Sequence, residues 1–404
     1  PDRAVPMLPR ALCEDLCSLN PGEKKLAFTA EMEIGEDGRI IDAQFYKSVI
    51  CSCARMVYDE VNQLLLGEEA GLDEKYLTYR DDLFLMKDLA EKLAARRKKN
   101  GGVDLDIDEP FIEVDERGNA IDVYPRARGE AEKIIEDFML AANRSVAEFI
   151  FHTGVPGIYR VHDDPDAERL TTFRRFAEIM GQRIRLKKEH YSGQLQEFLE
   201  KIKGRDEEFL LKKVLLRCMK KAEYRTDSTS HFALAFPYYT HFTSPIRRYP
   251  DLVTHRILGR IVEGSVDSEY VDALNETLAE TAYQCSRCEK RAEEAEREGD
   301  KLKIAQYMQT QRGYAFEGVI CSVLNFGMFV QLSNLAEGLV RYSDMQDDYY
   351  LPDVENMRAI GERTGRVRKV GDKVFAEVAA VNRESGEIDL LLLEADEVEE
   401  VDED

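Results

Sequence analysis

The chain has 404 residues, of which 44% are hydrophobic, and this is enough material for two or three domains with a large buried core. Its formal net charge of -23 lowers the expectation of a nucleic-acid partner, because polyanions bind mainly through Lys and Arg. Part of the charge lies in residues 394–404, where eight acidic residues and no basic residue predict a disordered tail. Screening over about 8 Å still permits a local basic channel, so the charge excludes no partner.

No apolar run approaches the roughly 20 residues that a membrane-spanning helix needs. The eight cysteines lack the spacing of a secreted disulfide framework, which predicts reduced thiols and a cytoplasmic setting. Cys285 and Cys288 form a CxxC pair, but no second pair follows, which favours two helix residues over a zinc site. The motifs of dinucleotide binding, nucleotide hydrolysis and serine hydrolases are absent from the sequence, so these functions have no support.

The first predicted element is a hairpin, because apolar residues alternate from Leu26 to Ile34, a turn with two glycines follows, and a second strand extends over 39–50. Two helices follow, around 56–65 and 83–99, and the second ends in a basic run that complements the helix dipole. Paired short strands are predicted within 103–123 and a core helix over 129–151. This order of elements predicts an α+β domain.

Three further helices are predicted at 173–180, 191–203 and 207–221, before a short strand at 232–236. Pro250 fits the first turn of the next helix, and a long charged helix spans about 266–311. Short strands with glycine bends follow at 316–320, 326–330, 337–340 and 370–374. That order is typical of an OB barrel.

Residues 241–252, HFTSPIRRYPDL, form the most informative segment, which we name the signature segment. It places Arg247 and Arg248 directly after a stiff Ser-Pro turn. A guanidinium group presents a planar fork of donors that matches phosphate oxygens, so this pair predicts recognition of a phosphodiester. The alternative is that one arginine, Arg248 rather than Arg247, pairs with an acidic residue of this chain. His241 and His255 have no ligand-like partner and are interpreted as structural.

The signature segment resembles that of the RNB family, the ribonuclease II and ribonuclease R exoribonucleases, which degrade RNA processively from its 3′ end. Residues 17–21, 132–143 and 159–163 are similar to the ribonuclease R branch, and the C-terminal strands resemble an S1 domain. Nearly the whole chain is covered. The resemblance implies an α+β fold: an RNB catalytic domain over 1–312, with a mixed sheet packed with helices and its N-terminal part missing, then a five-stranded S1-type OB barrel over 313–393.

The resemblance also implies roles for residues of the signature segment. Arg247 would contact the scissile phosphate, with Arg248 and Tyr249 lining the same pocket, and Thr243 and Ser244 would bind RNA beside them. Among the other candidates, Glu296 aligns with a glutamate that some members place near the active site, although a solvated role is the default on its Glu-rich helix.

Two departures concern the end of the RNA. Where ribonuclease II members clamp the terminal nucleotide with an aromatic residue and a glutamate, this chain has Leu105 and Asp137, which predicts a weaker or differently built clamp. On the S1 domain the candidate RNA-binding residues are Phe326, Phe329, Arg341 and Tyr342, the last at a position where many S1 domains have His. Each of these aromatic residues could instead fill the barrel.

The family's catalytic metals bind an aspartate cluster of the form D, five residues, DxDD, and no such string occurs in these 404 residues. In the family the cluster precedes the point that matches Pro1, so we expect the chain to be the C-terminal portion of a longer protein. The intact enzyme would require Mg²⁺, with no metal ligand in this chain. A competing cation site at Asp104, Asp106, Asp108 and Glu109 is disfavoured because Pro110 breaks the predicted strand.

The sequence therefore predicts part of a processive 3′–5′ exoribonuclease that hydrolyses single-stranded RNA to nucleoside 5′-monophosphates in RNA turnover. No membrane partner and no nucleotide cofactor is expected. The alternative is a non-catalytic RNA-binding or assembly subunit that uses the S1 domain and the Arg247 pocket.

Overall fold

The structure is a computed structural model that describes residues 5–105, 108–126, 128–187, 191–205, 207–227 and 230–393. Its helices are Tyr58–Leu65 (α1), Glu74–Thr78 (α2), Arg80–Lys99 (α3), Glu130–Thr153 (α4), Ala167–Ile179 (α5), Tyr191–Ile202 (α6), Glu208–Cys218 (α7), Tyr249–Val262 (α8) and Ser268–Thr310 (α9). Single helical turns lie at Ala11–Leu16, Tyr342–Asp344 and Val354–Asn356.

The strands fall into two groups, before and after α9. The first group is Lys24–Ile34 (β1), Ile40–Cys51 (β2), Glu109–Val114 (β3), Ala120–Arg126 (β4), Tyr159–Val161 (β5) and Glu223–Arg225 (β6). The second group is Ala315–Val323 (β7), Gly327–Leu332 (β8), Glu337–Arg341 (β9), Tyr350–Asp353 (β10), Arg358–Gly361 (β11), Val367–Lys369 (β12), Lys373–Asn382 (β13) and Glu387–Leu393 (β14).

The first part of the chain packs helices against antiparallel strand pairs, β1 with β2, β3 with β4 and β5 with β6. Phe45 of β2 is buried in one cluster with Val146 of α4 and Ile257 of α8. The long hairpin of β1 and β2 therefore packs against α4 and α8. This arrangement confirms the predicted α+β fold of the first domain.

Five of the strands after α9 form a closed barrel in the order β13, β14, β9, β8, β7. Only the pairing of β14 with β9 is parallel within this barrel, which confirms the predicted five-stranded OB architecture. Between β9 and β13 the chain adds a three-stranded antiparallel sheet, β10 to β12. Its strands have only three or four residues, too few for an alternating pattern to be recognised in the sequence.

The barrel shares one hydrophobic core with helices α5 to α7. Phe173, Leu195 and Leu211, one from each helix, belong to the same buried cluster as Met328 and Val330 of β8. Burial of apolar surface is the main favourable term in folding, so this continuous core joins the barrel firmly to the helices.

The strand predicted at 232–236 is wrong. These residues form a tight turn that is closed by the N–H of His231 donating to the carbonyl of Phe236 at 2.8 Å. Ala235 has a φ of 52°, a left-handed conformation that ends any extended run. Phe232 and Phe236 are both buried, so the apolar spacing that suggested a strand reflects burial of the two sides of this turn.

Gly371 lies where the barrel meets α5, with a φ of +98°, and a Cβ there would stand 2.7 Å from Cε of Met180. Gly371→Ala is expected to destabilise the protein by about 1–3 kcal/mol, mainly because positive φ strains an L-residue and, as a smaller contribution, because the methyl group displaces the flexible end of Met180. Gly365→Ala is the matched control, since Gly365 has a φ of +69° but open space around its Cβ position. Urea unfolding should show the larger loss for Gly371→Ala; equal losses would remove the Met180 contact from the explanation.

Candidate functional site

The signature segment forms a turn that leads directly into α8. The carbonyl of Ser244 accepts the N–H groups of Arg247 at 3.3 Å and Arg248 at 3.0 Å, which closes the turn around Pro245. Helix α8 then begins at Tyr249 with Pro250 in its first turn, where a missing N–H costs no hydrogen bond. The two arginines are thereby held at the N-terminal end of a helix.

Asp251 fixes this turn from inside the protein. Its carboxylate is fully buried, and Oδ1 accepts the N–H of Ser244 at 2.7 Å and Nη2 of Arg248 at 2.8 Å. The same arginine nitrogen donates to the hydroxyl of Thr243 at 3.4 Å. Arg248 is therefore the arginine of the ion pair that the sequence offered as the alternative to phosphate binding.

The pair between Arg248 and Asp251 is not fully satisfied. Nε of Arg248 and Oδ2 of Asp251 are buried and have no hydrogen-bond partner in the part of the chain that the structure describes. A buried ion pair of this kind is destabilised strongly when one partner is removed, since the other charge stays in a poorly solvated place.

Arg247 and Tyr249 differ from Arg248 because both are exposed. The Arg247 side chain makes no hydrogen bond or ion pair with any described residue, and 54% of Tyr249 is accessible. A fixed turn thus presents one unpaired guanidinium group and one aromatic ring to solvent. Such a combination can bind a phosphate and stack a base or sugar.

The start of the signature segment is anchored in the core by long-range contacts. Oδ1 of Asn143 on α4 accepts the N–H of Phe242 at 2.9 Å, and Nδ2 of Asn143 donates to the Tyr239 hydroxyl at 3.1 Å. Nε2 of His255 on α8 bonds the carbonyl of Phe242 at 2.7 Å, and the two rings stack with centroids 4.5 Å apart.

His241, the first residue of the signature segment, and His231 are half-buried in one cluster of rings. Burial first, and then the positive charges of Arg248 and Arg160, lower the pKa of His241 to about 2, while burial lowers the pKa of His231 to about 3. A neutral imidazole has one donor and one acceptor nitrogen, and Nδ1 of His241 forms a hydrogen bond of 2.7 Å with the Tyr224 hydroxyl.

These histidines make folding sensitive to acid. Their folded-state pKa values lie below the unfolded value of about 6.5, so stability falls as the pH drops below about 6.5 and continues to fall towards the folded pKa values. His241→Gln, which keeps an acceptor for Tyr224, should reduce this dependence by about 1.4 kcal/mol per pH unit. Urea unfolding at a series of pH values measures the slope, with His152→Gln on the exposed end of α4 as control. An unchanged slope for His241→Gln would contradict the prediction.

Asp137 and Leu105, the two residues predicted to contact the end of the RNA, both pack inside the protein. Asp137 is buried and forms an ion pair with Arg97, and burial raises its pKa against the opposing effect of that arginine. It lines a cavity of about 260 Å³ together with Arg97 and Gln196. Leu105 is half-buried against the core that the barrel shares with α5 to α7. The structure thus gives Asp137 an internal partner, and the predicted RNA contacts of both residues stay predictions.

Glu296 is exposed on α9, and its side chain has no hydrogen bond or ion pair with any described residue. Other glutamates of the helix behave differently, since Glu289 pairs with Arg160 and Glu293 pairs with Lys221 at 2.8 Å. The structure does not bring Glu296 into contact with the signature segment, so its catalytic role stays a prediction.

The four candidate RNA-binding residues of the S1 domain differ in how much of each side chain is exposed to solvent. Phe326 is 57% exposed, whereas Phe329 packs against the core in a half-buried position. Arg341 is exposed and pairs with Asp389 at 2.9 Å. Tyr342 is 8% exposed and its hydroxyl donates to the carbonyl of Leu324 at 3.0 Å, which favours the alternative that this ring fills the barrel. Exposed rings that the sequence analysis missed are Tyr314 and Tyr349.

The described residues do not fit a divalent metal ion. Within residues 5–393 and outside the gaps noted above, no group of three or more His, Cys, Asp or Glu side chains is placed to bind one. Asp104 pairs with Lys98 at 3.3 Å, and Asp106, part of the competing cation site, lies outside the described residues. Cys285 is half-buried and Cys288 exposed on α9. Among described helices, none is long and apolar enough to cross a membrane.

Comparisons with known proteins give two matches to family models. The RNB domain model matches residues 1–264, and the S1 RNA binding domain model matches residues 309–392. The chain is 42% identical to Ribonuclease R 1 of Lactococcus lactis over 389 residues, which cover 96% of this chain and 48% of that relative. It is 40% identical to Ribonuclease R of Thermotoga maritima over 400 residues, covering 98% of this chain and 56% of that relative. The chain thus spans about half the length of these relatives.

Solved structures agree with the sequence relatives. The RNase R of Mycoplasma genitalium in complex with ribose methylated single-stranded RNA matches with a TM-score of 0.88 and 30% identity, covering 96% of this chain and 61% of that chain. The same protein in complex with double-stranded RNA matches with a TM-score of 0.82, 28% identity and coverage of 96% and 64%. The class that the fold and site define is an α+β domain joined to an S1-type OB barrel. The chain belongs to the RNB family.

Proposed function

We propose that this chain forms the C-terminal part of a 3′–5′ exoribonuclease that hydrolyses single-stranded RNA processively to nucleoside 5′-monophosphates. The observation that supports this most directly is Arg247, an exposed guanidinium group without an internal partner on a turn fixed by Asp251. Water would add across the terminal phosphodiester, the P–O3′ bond would break, and the released nucleotide would keep the 5′ phosphate.

In this proposal each residue of the signature segment has a separate task. Arg247 donates to the scissile phosphate and stabilises the charge that develops on its oxygens, an effect worth about 10²–10³ in rate for a preorganised donor. Tyr249 packs against the nucleotide beside it. Arg248 lines the inner side of the same pocket. Its ion pair with Asp251 holds the turn in place.

The barrel would hold the RNA upstream of the cut. Phe326 is the aromatic residue best exposed among the predicted candidates. Arg341, the last residue of β9, offers a cation that would exchange its pair with Asp389 for a phosphate. Stacking of bases on exposed rings together with backbone tracking by cations is how OB folds bind single strands. Asp137 and Leu105 would contact the terminal nucleotide only after rearrangement of the pair with Arg97.

Mg²⁺ is the cofactor that we propose for the intact enzyme, supplying an activated water and charge neutralisation when bound. The described residues provide no site for it. We also propose single-stranded RNA as the partner and a cytoplasmic location, which the pattern of cysteines favours.

The test uses a uniformly labelled, 3′-tailed single-stranded RNA and Mg²⁺. It is incubated with this chain and, separately, with a version extended upstream along its reading frame. Release of mononucleotides by the extended version alone supports the proposal. Equal activity of both would show that the account of the metal site is wrong. RNA binding without hydrolysis by either would favour the alternative, a non-catalytic RNA-binding or assembly subunit.

A further inference from the structure

A basic surface follows α5, outside the site described above. In residues 182–187 burial alternates: Gln182 and Ile184 are buried and Leu186 is half-buried against the core, while the residues between them are exposed. Alternate residues of an extended chain point to opposite sides, so this pattern places three cations on one side. We name these residues the basic strip: Arg183, Arg185 and Lys187.

The cations of the basic strip have no side-chain partner among the described residues. None of their side chains makes a hydrogen bond or an ion pair within the part of the chain that the structure describes. The protein has 79 acidic and 56 basic residues, so most surface cations have acidic residues available to them. Three neighbouring cations without such partners produce a local positive potential that attracts an external anion.

The spacing of the strip fits a repeated anion better than a single one. Alternate residues of an extended chain lie about 6.6 Å apart, so the three cations cover about 13 Å. Their Cα positions are fixed because the residues between them are packed in the core. A single-stranded nucleic acid presents phosphates in such a row, and Arg and Lys neutralise them one by one.

The basic strip lies between the barrel and α6. At its beginning, Met180 lies beside Gly371, in the loop that leads into β13. At its end, the N–H of Lys187 donates to Oε1 of Gln194 in the first turn of α6 at 2.7 Å. The strip therefore runs from the barrel, which we propose to bind RNA, to the start of α6.

We propose that Arg183, Arg185 and Lys187 bind consecutive phosphates of a single-stranded RNA segment that runs from the barrel towards the catalytic domain. The choice of RNA as ligand rests on the proposed function. An acidic protein segment is the other anionic ligand that three cations attract, and the experiment below separates the two.

The test measures RNA affinity as a function of salt in wild type and two triple variants. Arg183→Gln/Arg185→Gln/Lys187→Gln removes the strip, and Lys24→Gln/Arg55→Gln/Arg291→Gln removes three other exposed cations that have no side-chain hydrogen bond or ion pair with described residues. Fluorescence anisotropy with labelled oligouridylate in EDTA gives the binding constant without hydrolysis. For single strands the slope of log K against log salt is about -0.7 per phosphate contact, so losing three contacts should make it shallower by about 2.

A slope shallower by about 2 in the strip variant, with the wild-type slope in the control, supports the inference. An unchanged slope in the strip variant, or equal changes in both variants, overturns the inference. The proposed function stays intact in that case, provided that the wild type binds RNA. Failure of the wild type to bind oligouridylate overturns both. Loss of binding to labelled polyglutamate in the strip variant, with an unchanged RNA slope, would assign the strip to an acidic protein and overturn the RNA inference.

Discussion

Arg247→Ala, introduced into the version of the protein that is extended upstream, is expected to lower kcat by about 10²- to 10³-fold while RNA affinity changes little. The reason is the geometry of the signature segment. The guanidinium group is exposed and unpaired among the described residues, so its removal leaves no buried charge behind and should not disturb the fold. The loss should therefore appear in the chemical step, where charge develops on the phosphate oxygens.

Single-turnover kinetics and equilibrium binding of the same RNA measure the two quantities separately. Arg256→Ala is the matched control, since Arg256 is another exposed arginine of this region, on α8, without a side-chain partner among the described residues. Arg247→Lys should recover only part of the rate, because an ammonium group lacks the planar fork of donors. A loss confined to affinity would make Arg247 a binding residue, and an equal loss in Arg256→Ala would show a general effect of charge.

The parts of the fold that the sequence predicts well have long periodic patterns. The hairpin of β1 and β2, the core helix α4 and the 43-residue helix α9 each extend over many residues. The spacing of their apolar residues therefore repeats often enough to distinguish a helix from a strand. The small sheet β10 to β12 has strands of three or four residues and gives no such signal. Residues 232–236 are predicted as a strand for a related reason, because the apolar residues buried on the two sides of a short turn have the same spacing as those of a short strand.

The contacts of the site differ in the same way: those between residues close in the sequence can be predicted, and those between distant residues cannot. Asp251 stands three residues after Arg248, so their ion pair could be anticipated from the sequence. The bond of Asn143 to Phe242 and the pair of Arg97 with Asp137 join residues far apart in the chain, and nothing local indicates them. Tyr342, in the single helical turn after β9, shows the same limit, because its burial depends on contacts with Leu324 and Tyr350, which nothing local indicates.

Asp251→Ala is expected to destabilise the protein by about 3–5 kcal/mol, the second large effect that the site predicts. Its carboxylate is fully buried, and removal leaves the Arg248 guanidinium group and the Ser244 N–H without their acceptor. Asp251→Asn keeps an oxygen for Ser244 and removes the charge, so its cost should be smaller, about 1–3 kcal/mol. Urea unfolding of the three proteins at one pH measures both differences.

A double-mutant cycle decides whether the ion pair is the cause. Arg248→Ala alone leaves a buried carboxylate, so it should also destabilise strongly, whereas Arg248→Ala/Asp251→Ala removes both charges together. The double variant should therefore be more stable than the sum of the two single losses predicts, by about 0.5–3 kcal/mol. Strict additivity would mean that Asp251 acts through Ser244 alone. In that case the turn that presents Arg247 would depend on one backbone hydrogen bond, and Asp251→Asn should then match the wild type in stability.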